Sequence, residues 1–206
     1  VLFYIFLMNY LAHAFLSGKD PDFLLGNITA DMLKGNIHKN LAEKVSDGVI
    51  HHRKMDIFTD NHPDFQTCLP VLYPLHGKYA SVVLDILFDY FLVKNWHYFS
   101  SISLEEFSAD TNKLLLENIE KLPDLSQIQL RAMIQGNWLL HYGHYEGLSY
   151  CFLRLTKRVA QPQWLESWHV SLQKEGDTIE KSFLSLFPDM IEYSKKQASL
   201  RNVVIW

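Results

Sequence analysis

Apolar residues recur along this chain with helical rather than alternating spacing, and turn residues cut the pattern into segments of helix length. The first, VLFYIFLMNYLAHAFL, is a run of sixteen mostly apolar residues. No basic residue precedes it, Asn9 and His13 interrupt it, and no clean small-residue cleavage site follows. It is also shorter than the ~20 residues of a membrane span, so it predicts a buried first helix from Met8 to Leu16 rather than a signal peptide. Met8 reads as a natural start, with residues 1–7 an upstream extension. Ser17-Gly18 and Asp20-Pro21 mark a turn, and FLLGNITADMLKG reads as a second helix that ends at Gly35. A third helix is expected from Leu41 to Thr59, closed off by Pro63. A short segment from Phe65 to Tyr73 leads into Tyr79–Tyr98, apolar on so many faces that it is expected to be buried nearly all round. Ser103 and Glu106 form a capping box that opens an amphipathic helix to Lys121. Helices from Pro123 to His144, Gly147 to Val159, Gln163 to Lys174 and Asp177 to Lys196 complete the set. Only Asn202–Trp206 is β-like. The pattern predicts an all-α fold, a single-domain helical bundle over residues 8–206.

Four of these apolar helices carry a polar pair at i, i+4: Asn9 with His13, Asn27 with Asp31, His52 with Asp56, and Asp85 with Asp89. Asp60 extends the third pair by another turn, so GVIHHRKMDIFTD places one imidazole and two carboxylates along a single helix face. Ordinary surface charge pairs share that spacing. Asp85 and Asp89, however, stand among apolar residues, where a carboxylate is costly unless a cation, or an Arg or Lys from a neighbouring helix, faces it. Packed with these faces inward, the helices would form a His/Asp cage for one or two metals. Its oxygen and nitrogen donors favour Mn²⁺, Mg²⁺ or Fe²⁺ over a thiolate-type zinc site. Such a cage suits hydrolysis of a phosphate ester, with Arg53 holding a non-bridging oxygen. His51 and His52 project about 100° apart on a helix, so at most one of them joins the cage. His141, Phe183 and Phe187 are expected to be packing residues.

Composition narrows the function classes. A hydrophobic fraction of 48% excludes global disorder, and a net charge of −4 gives no reason to expect nucleic acid. Two cysteines, Cys68 and Cys151, are too few for a disulfide framework, which fits a reducing, cytoplasmic setting. The ten histidines cluster, with His51, His52 and His62 in one region and His141 and His144 in another.

The segments MNYLAHAFLS (8–17), LLGNITADMLKG (24–35), GVIHHRKMDIFTDNHP (48–63) and LDILFDYFLVKNW (84–96), with the later WLLHY, ESWH and LFPDM, resemble the bacterial acyl carrier protein phosphodiesterase family. The resemblance runs in order from Met8 to about Lys196. It implies an all-helical, HD-like fold related to the HD phosphohydrolases, a preference for Mn²⁺, and removal of 4′-phosphopantetheine from the serine of holo-acyl carrier protein. Family motif G-N-x-x-A-D falls on Asn27 and Asp31, H-R-x-[IM]-D-x-x-T-D on His52, Arg53, Asp56 and Asp60, D-x-x-x-D on Asp85 and Asp89, and N-[FY]-L-A-H on Asn9 and His13. The implied catalytic set is Asp31, His52, Asp56, Arg53 and Asn27, with Asp31 the first choice for an indispensable acid. The implied metal set is His13, Asp31, His52, Asp56, Asp60, Asp85 and Asp89. The His-Asp dipeptide that names the HD superfamily is absent from these segments. A carrier protein is strongly acidic, so a basic docking face is expected, with Lys34, Lys39, Arg53, Lys54 and Lys94 as candidates. Neither a membrane nor a nucleic acid is an expected partner. Two other readings compete: an HD-type phosphohydrolase acting on a nucleotide or another small phosphoester, and a non-catalytic helical binding protein.

Overall fold

The computed structural model describes residues 9–33 and 35–201; the expectations for Met8, residues 1–7, Lys34 and residues 202–206 lie outside the described residues. The described chain is helical and, among the described residues, contains no strand. Helix α1 (Tyr10–Phe15) is followed by α2 (Pro21–Thr29), which opens with Pro21 and an Asp20 cap accepting from the Asp22 and Phe23 amides. Beyond Thr29 the chain tightens into a 3₁₀ turn (Ala30–Met32), so Asp31 lies past the α-helix rather than within it. A second 3₁₀ turn (Ile37–Asn40) leads to α3 (Glu43–Asn61).

The segment expected to be short is instead a full helix, α4 (Pro63–His76), despite Pro70 and Pro74 in its interior. Both prolines are on its exposed face, where water can satisfy the carbonyls they leave without a partner. The opposite face buries Phe65, Cys68, Leu69, Leu72 and His76. A 3₁₀ turn (Gly77–Tyr79) then leads to α5 (Ala80–Lys94), buried on most faces as its composition predicts, and the short α6 (Trp96–Phe99). Helix α7 (Leu104–Asn118) opens where the capping box predicts, the Ser103 hydroxyl accepting from the Glu106 amide at 3.1 Å.

Between Pro123 and His144 the expected single helix is two. Helix α8 (Asp124–Gln135) stops at Gly136, and Asn137 adopts a left-handed φ of 53° before α9 (Trp138–His141). Helix α10 (Tyr145–Thr156) and the short α11 (Gln163–Glu166) follow. The last helix, α12 (Trp168–Ser199), runs unbroken through the expected break near Gly176. Glycine weakens a helix interior by about 1 kcal/mol. That cost is outweighed by the buried stripe that continues through Ile179, Phe183, Leu186, Phe187 and Met190.

Helix α12 packs against α3, α4 and α5. Two histidines help fasten it. His76 donates through Nδ1 to the Trp164 carbonyl and accepts through Nε2 from the Ser171 hydroxyl, both at 2.7 Å. Ser194 donates to the Leu16 carbonyl (2.7 Å) and accepts from His51 Nε2 (3.0 Å), linking α12 to α3 and to the end of α1.

Candidate metal centre

Helices α2 and α3 touch through their backbones. A Cβ on Gly26 would sit 1.9 Å from the Val45 carbonyl oxygen, and one on Gly48 would sit 2.1 Å from that of Phe23. No other residue permits that approach. It sets Asn27 of α2 opposite His52 of α3, both buried in the interface.

Helix α1 supplies the third wall. It is six residues long and has no side-chain cap from its own N-terminal neighbour; instead the Asp89 carboxylate of α5 accepts from the Leu11 amide (3.0 Å) and the Ala12 amide (2.9 Å). His13 is thereby presented beside His52, their rings stacked with centroids 3.8 Å apart.

Asn27 determines which nitrogen of each ring carries hydrogen. Its amide nitrogen donates to the His13 carbonyl (3.1 Å) and to Ser17 Oγ (2.7 Å), and Ser17 spends its own proton on the same carbonyl. The amide oxygen is therefore turned to the two imidazoles, 3.0 Å from His13 Nδ1 and 3.2 Å from His52 Nδ1. An oxygen only accepts, so both rings carry hydrogen on Nδ1 and direct Nε2 the other way. There they meet carboxylates. His13 Nε2 lies 3.2 Å from Asp56 Oδ1, while His52 Nε2 lies 3.4 Å from Asp56 Oδ2 and 3.6 Å from Asp31 Oδ1.

The electrostatics leave this arrangement short of positive charge. Burial and the neighbouring His52 hold His13 below the usual imidazole value. Burial opposes charge on His52 as well, but Asp56 and Asp31 outweigh it and raise that ring. Burial alone would raise Asp56; His52 and His13 hold it below the usual carboxylate range. With hydrogen on Nδ1 of both rings, a neutral imidazole here turns its Nε2 lone pair to a carboxylate oxygen, acceptor against acceptor. His52 Nε2 and Asp31 Oδ2 are buried with no partner in hydrogen-bonding geometry. Ligand atoms of His13, His52 and Asp56 lie within 4.8 Å of one another, a group that could hold a metal ion. Two imidazole nitrogens and a carboxylate, oriented from behind by an amide, are a donor set that a divalent cation fits.

The structure thus brings together His13, Asn27, Asp31, His52 and Asp56. It does not bring the other expected residues to the ligand atoms. Both oxygens of Asp89 are engaged as the cap of α1. Asp85 lines a separate small cavity with Asn9 and Thr59, and burial first, then Asp56 and Asp60, push its carboxyl well above the usual range. Asp60 is exposed one turn beyond Asp56. Arg53 donates to the Gly35 carbonyl at 3.3 Å, on the segment that follows Asp31. Lys54 donates to Gln197 Oε1, and Lys94 lies over the Tyr90 ring. Of the adjacent histidines, His52 enters the site, whereas His51 turns to Ser194 and the Phe23 ring and burial lowers it to about 3. Sequence reasoning missed Gly26, Gly48 and Ser17; a glycine in each of two facing helices was the available signal for the first two.

Among the described residues no helix is long and apolar enough to cross a membrane. No solved structure matches the chain significantly. Curated relatives do. The chain is 26% identical over 189 residues to an acyl carrier protein phosphodiesterase of Serratia proteamaculans (strain 568), covering 91% of this chain and 98% of the relative. It is 28% identical over 196 residues to one of Escherichia coli O6:H1, covering 93% and 100%, and 24% identical over 192 residues to one of Klebsiella pneumoniae subsp. pneumoniae, covering 92% and 99%. The family model described as acyl carrier protein phosphodiesterase matches residues 8–190, nearly the whole chain, and the chain belongs to that family.

Proposed function

We propose that this protein is a metal-dependent phosphodiesterase that hydrolyses the phosphodiester between 4′-phosphopantetheine and the serine of holo-acyl carrier protein, giving apo-acyl carrier protein and free 4′-phosphopantetheine. Family membership and the names of the relatives support the reaction. The observation that carries the metal is the pair of Nε2 atoms aimed at Asp56, with Asn27 Oδ1 behind both rings. The oxygen and nitrogen donors favour Mn²⁺, with Mg²⁺ or Fe²⁺ next. Such a cation, when bound, supplies Lewis-acid charge to the phosphoryl oxygens and acidifies water.

In this reading His13, His52 and Asp56 hold the cation, and Asn27 keeps both imidazoles in the tautomer that leaves Nε2 available. Asp31, partly exposed beside His52 and with Oδ2 unengaged, is the residue placed to take a proton from the attacking water. Arg53 steadies the turn that carries Asp31 through its bond to Gly35. The close contact of α2 with α3 holds these groups at fixed separation, so orientation costs nothing at the moment of reaction.

Intact mass spectrometry of holo-acyl carrier protein, incubated with the protein and Mn²⁺ with and without chelator, tests the proposal. Metal-dependent loss of the phosphopantetheine mass is the expected result. An unchanged carrier protein alongside hydrolysis of a nucleotide or another small phosphoester would move the substrate elsewhere, and no activity on either would leave a helical binding protein.

A further inference from the structure

A cleft of ≈ 160 Å³ opens beside the candidate centre, lined by Tyr10, Met32, Gln129, Trp138, Arg154 and Arg158, and it has no role in the chemistry above. Its inner wall is shared with the site. Tyr10 stands one helical turn before His13 on α1, and Met32 directly follows Asp31. Its outer wall comes from α8, α9, α10 and the turn that follows α10. The rings of Tyr10 and Trp138 lie in tilted contact at 6.2 Å, and the Arg154 guanidinium lies 4.6 Å over the Trp138 ring while donating to the Tyr150 hydroxyl at 3.0 Å.

The lining specifies a ligand of mixed character. Tyr10, Met32, Ala132 and Trp138 offer apolar surface. Gln129 Oε1 is buried with no donor, a group that native structures seldom leave unpaired. It calls for an N–H. Arg154 holds the Tyr150 hydroxyl through one of its five N–H groups, and the others suit carbonyl or hydroxyl oxygens. Among the described residues no acidic side chain lines the cleft. An inorganic anion would satisfy the Arg154 guanidinium but leave Gln129 Oε1 facing negative charge; a chain that sets amides between methylene and dimethyl-substituted carbons satisfies both. The pantetheine arm is such a chain, running from the phosphate through a methylene, a dimethyl-substituted carbon and a hydroxyl-bearing carbon to two secondary amides separated by methylenes.

We propose that this cleft holds the pantetheine arm of the carrier-protein substrate, with Gln129 and Arg154 taking its amides and Tyr10, Met32 and Trp138 its dimethyl and methylene carbons. The assignment rests on the reaction given under Proposed function. It makes the cleft the feature that distinguishes this substrate from other phosphodiesters.

Two variants and one competitor test it. Ala132→Trp fills the cleft from an exposed position on α8, where the larger side chain leaves the core untouched. Gln129→Leu keeps the shape and removes the acceptor. With the full-length protein and Mn²⁺, each is expected to lower kcat/KM on holo-acyl carrier protein, Gln129→Leu by about tenfold, the worth of one hydrogen bond. Mn²⁺ affinity by calorimetry stays at the wild-type value in both. Free pantetheine, which carries no phosphate, inhibits the wild-type protein and loses that inhibition in Ala132→Trp. Wild-type kcat/KM in Ala132→Trp overturns the assignment, as does a loss of Mn²⁺ affinity that accounts for the whole defect. Inhibition by inorganic phosphate but not by pantetheine, abolished by Ala132→Trp, overturns it in favour of an anion site. A wild-type protein inert on holo-acyl carrier protein removes the reaction itself, and the assignment with it, whereas activity that survives a blocked cleft removes the assignment alone.

Discussion

Replacing Asn27 with alanine removes one side chain that makes four hydrogen bonds without being a ligand. Its oxygen accepts from His13 and His52, and its nitrogen donates to Ser17 Oγ and the His13 carbonyl, all at 2.7–3.2 Å and all buried. In Asn27→Ala two imidazole N–H groups lose their acceptor inside the protein. Each buried donor left unpaired costs about 1–3 kcal/mol, so the metal-free protein should lose about 2–6 kcal/mol. That is a large share of the total stability of an ordinary domain, about 5–15 kcal/mol. The rings are then free to turn or exchange tautomers, and outer-shell losses of this kind typically weaken metal binding by about 10–100-fold. The assay pairs thermal unfolding in chelator with calorimetric titration of Mn²⁺. Asn27→Asp serves as the second variant, since a carboxylate still accepts from both Nδ1–H groups while losing the two donated bonds. Its Mn²⁺ affinity should exceed that of Asn27→Ala even though its stability is also reduced. Asn27→Ala protein that melts earlier yet binds Mn²⁺ as tightly as wild type would refute the view that this amide sets the imidazoles.

Other perturbations separate ligand, scaffold and cap. Asp56→Ala should abolish Mn²⁺ binding and turnover in a folded protein, whereas Asp89→Ala should leave Mn²⁺ affinity near wild type and lower stability by about 2–6 kcal/mol, the cost of unpairing two buried amides at the start of α1; circular dichroism melts and calorimetry on the two variants compare these directly. Gly48→Ala places a methyl 2.1 Å from the Phe23 carbonyl and 2.8 Å from the Asn27 amide, so α2 and α3 must separate. Overpacking of this sort typically costs about 1–3 kcal/mol, and a urea midpoint equal to wild type would show that the helices are not held in backbone contact. Acid should weaken the attachment of α12. Burial lowers His76, so as pH falls below the ordinary imidazole value the unfolded chain takes up a proton that the folded chain refuses, and stability drops with falling pH by up to about 1.4 kcal/mol per pH unit. His76→Gln should flatten that slope between pH 7 and pH 5 in urea titrations performed with chelator, and an unchanged slope would mean that His76 does not contribute.

The centre was legible where chemistry repeats along one helix. His52 and Asp56 share a face of α3 at the expected spacing, and the glycine-asparagine step in α2 carries Asn27. Asp89 shows why the rest was not. A carboxylate in an apolar helix has the same appearance whether its partner is a cation or the open amides of another helix, and those of Leu11 and Ala12 lie 78 and 77 residues away in sequence. Asp31 was expected within a helix because LLGNITADMLKG has the period of one; the tightening at Ala30 moves it to the edge of the site. Pro70 and Pro74 hid α4, since nothing local says that both face water. The break expected between Lys174 and Asp177 is overridden by the buried stripe of the 32-residue α12. Basic residues near the motifs in sequence, Lys54 and Lys94, have contacts elsewhere, whereas Arg154 and Arg158, more than a hundred residues from His52, line the cleft beside the site.

The dependence of α1 on Asp89 has a temporal consequence. Six residues are too few to hold a helix in isolation. While the protein is being synthesised, the segment bearing His13 emerges long before the α5 carboxylate that completes its first turn, and α2 with α3 can associate in the interval through their glycines. The cap that holds His13 in place therefore becomes available only once the chain has been made as far as α5, after the segments that carry Asn27, His52 and Asp56.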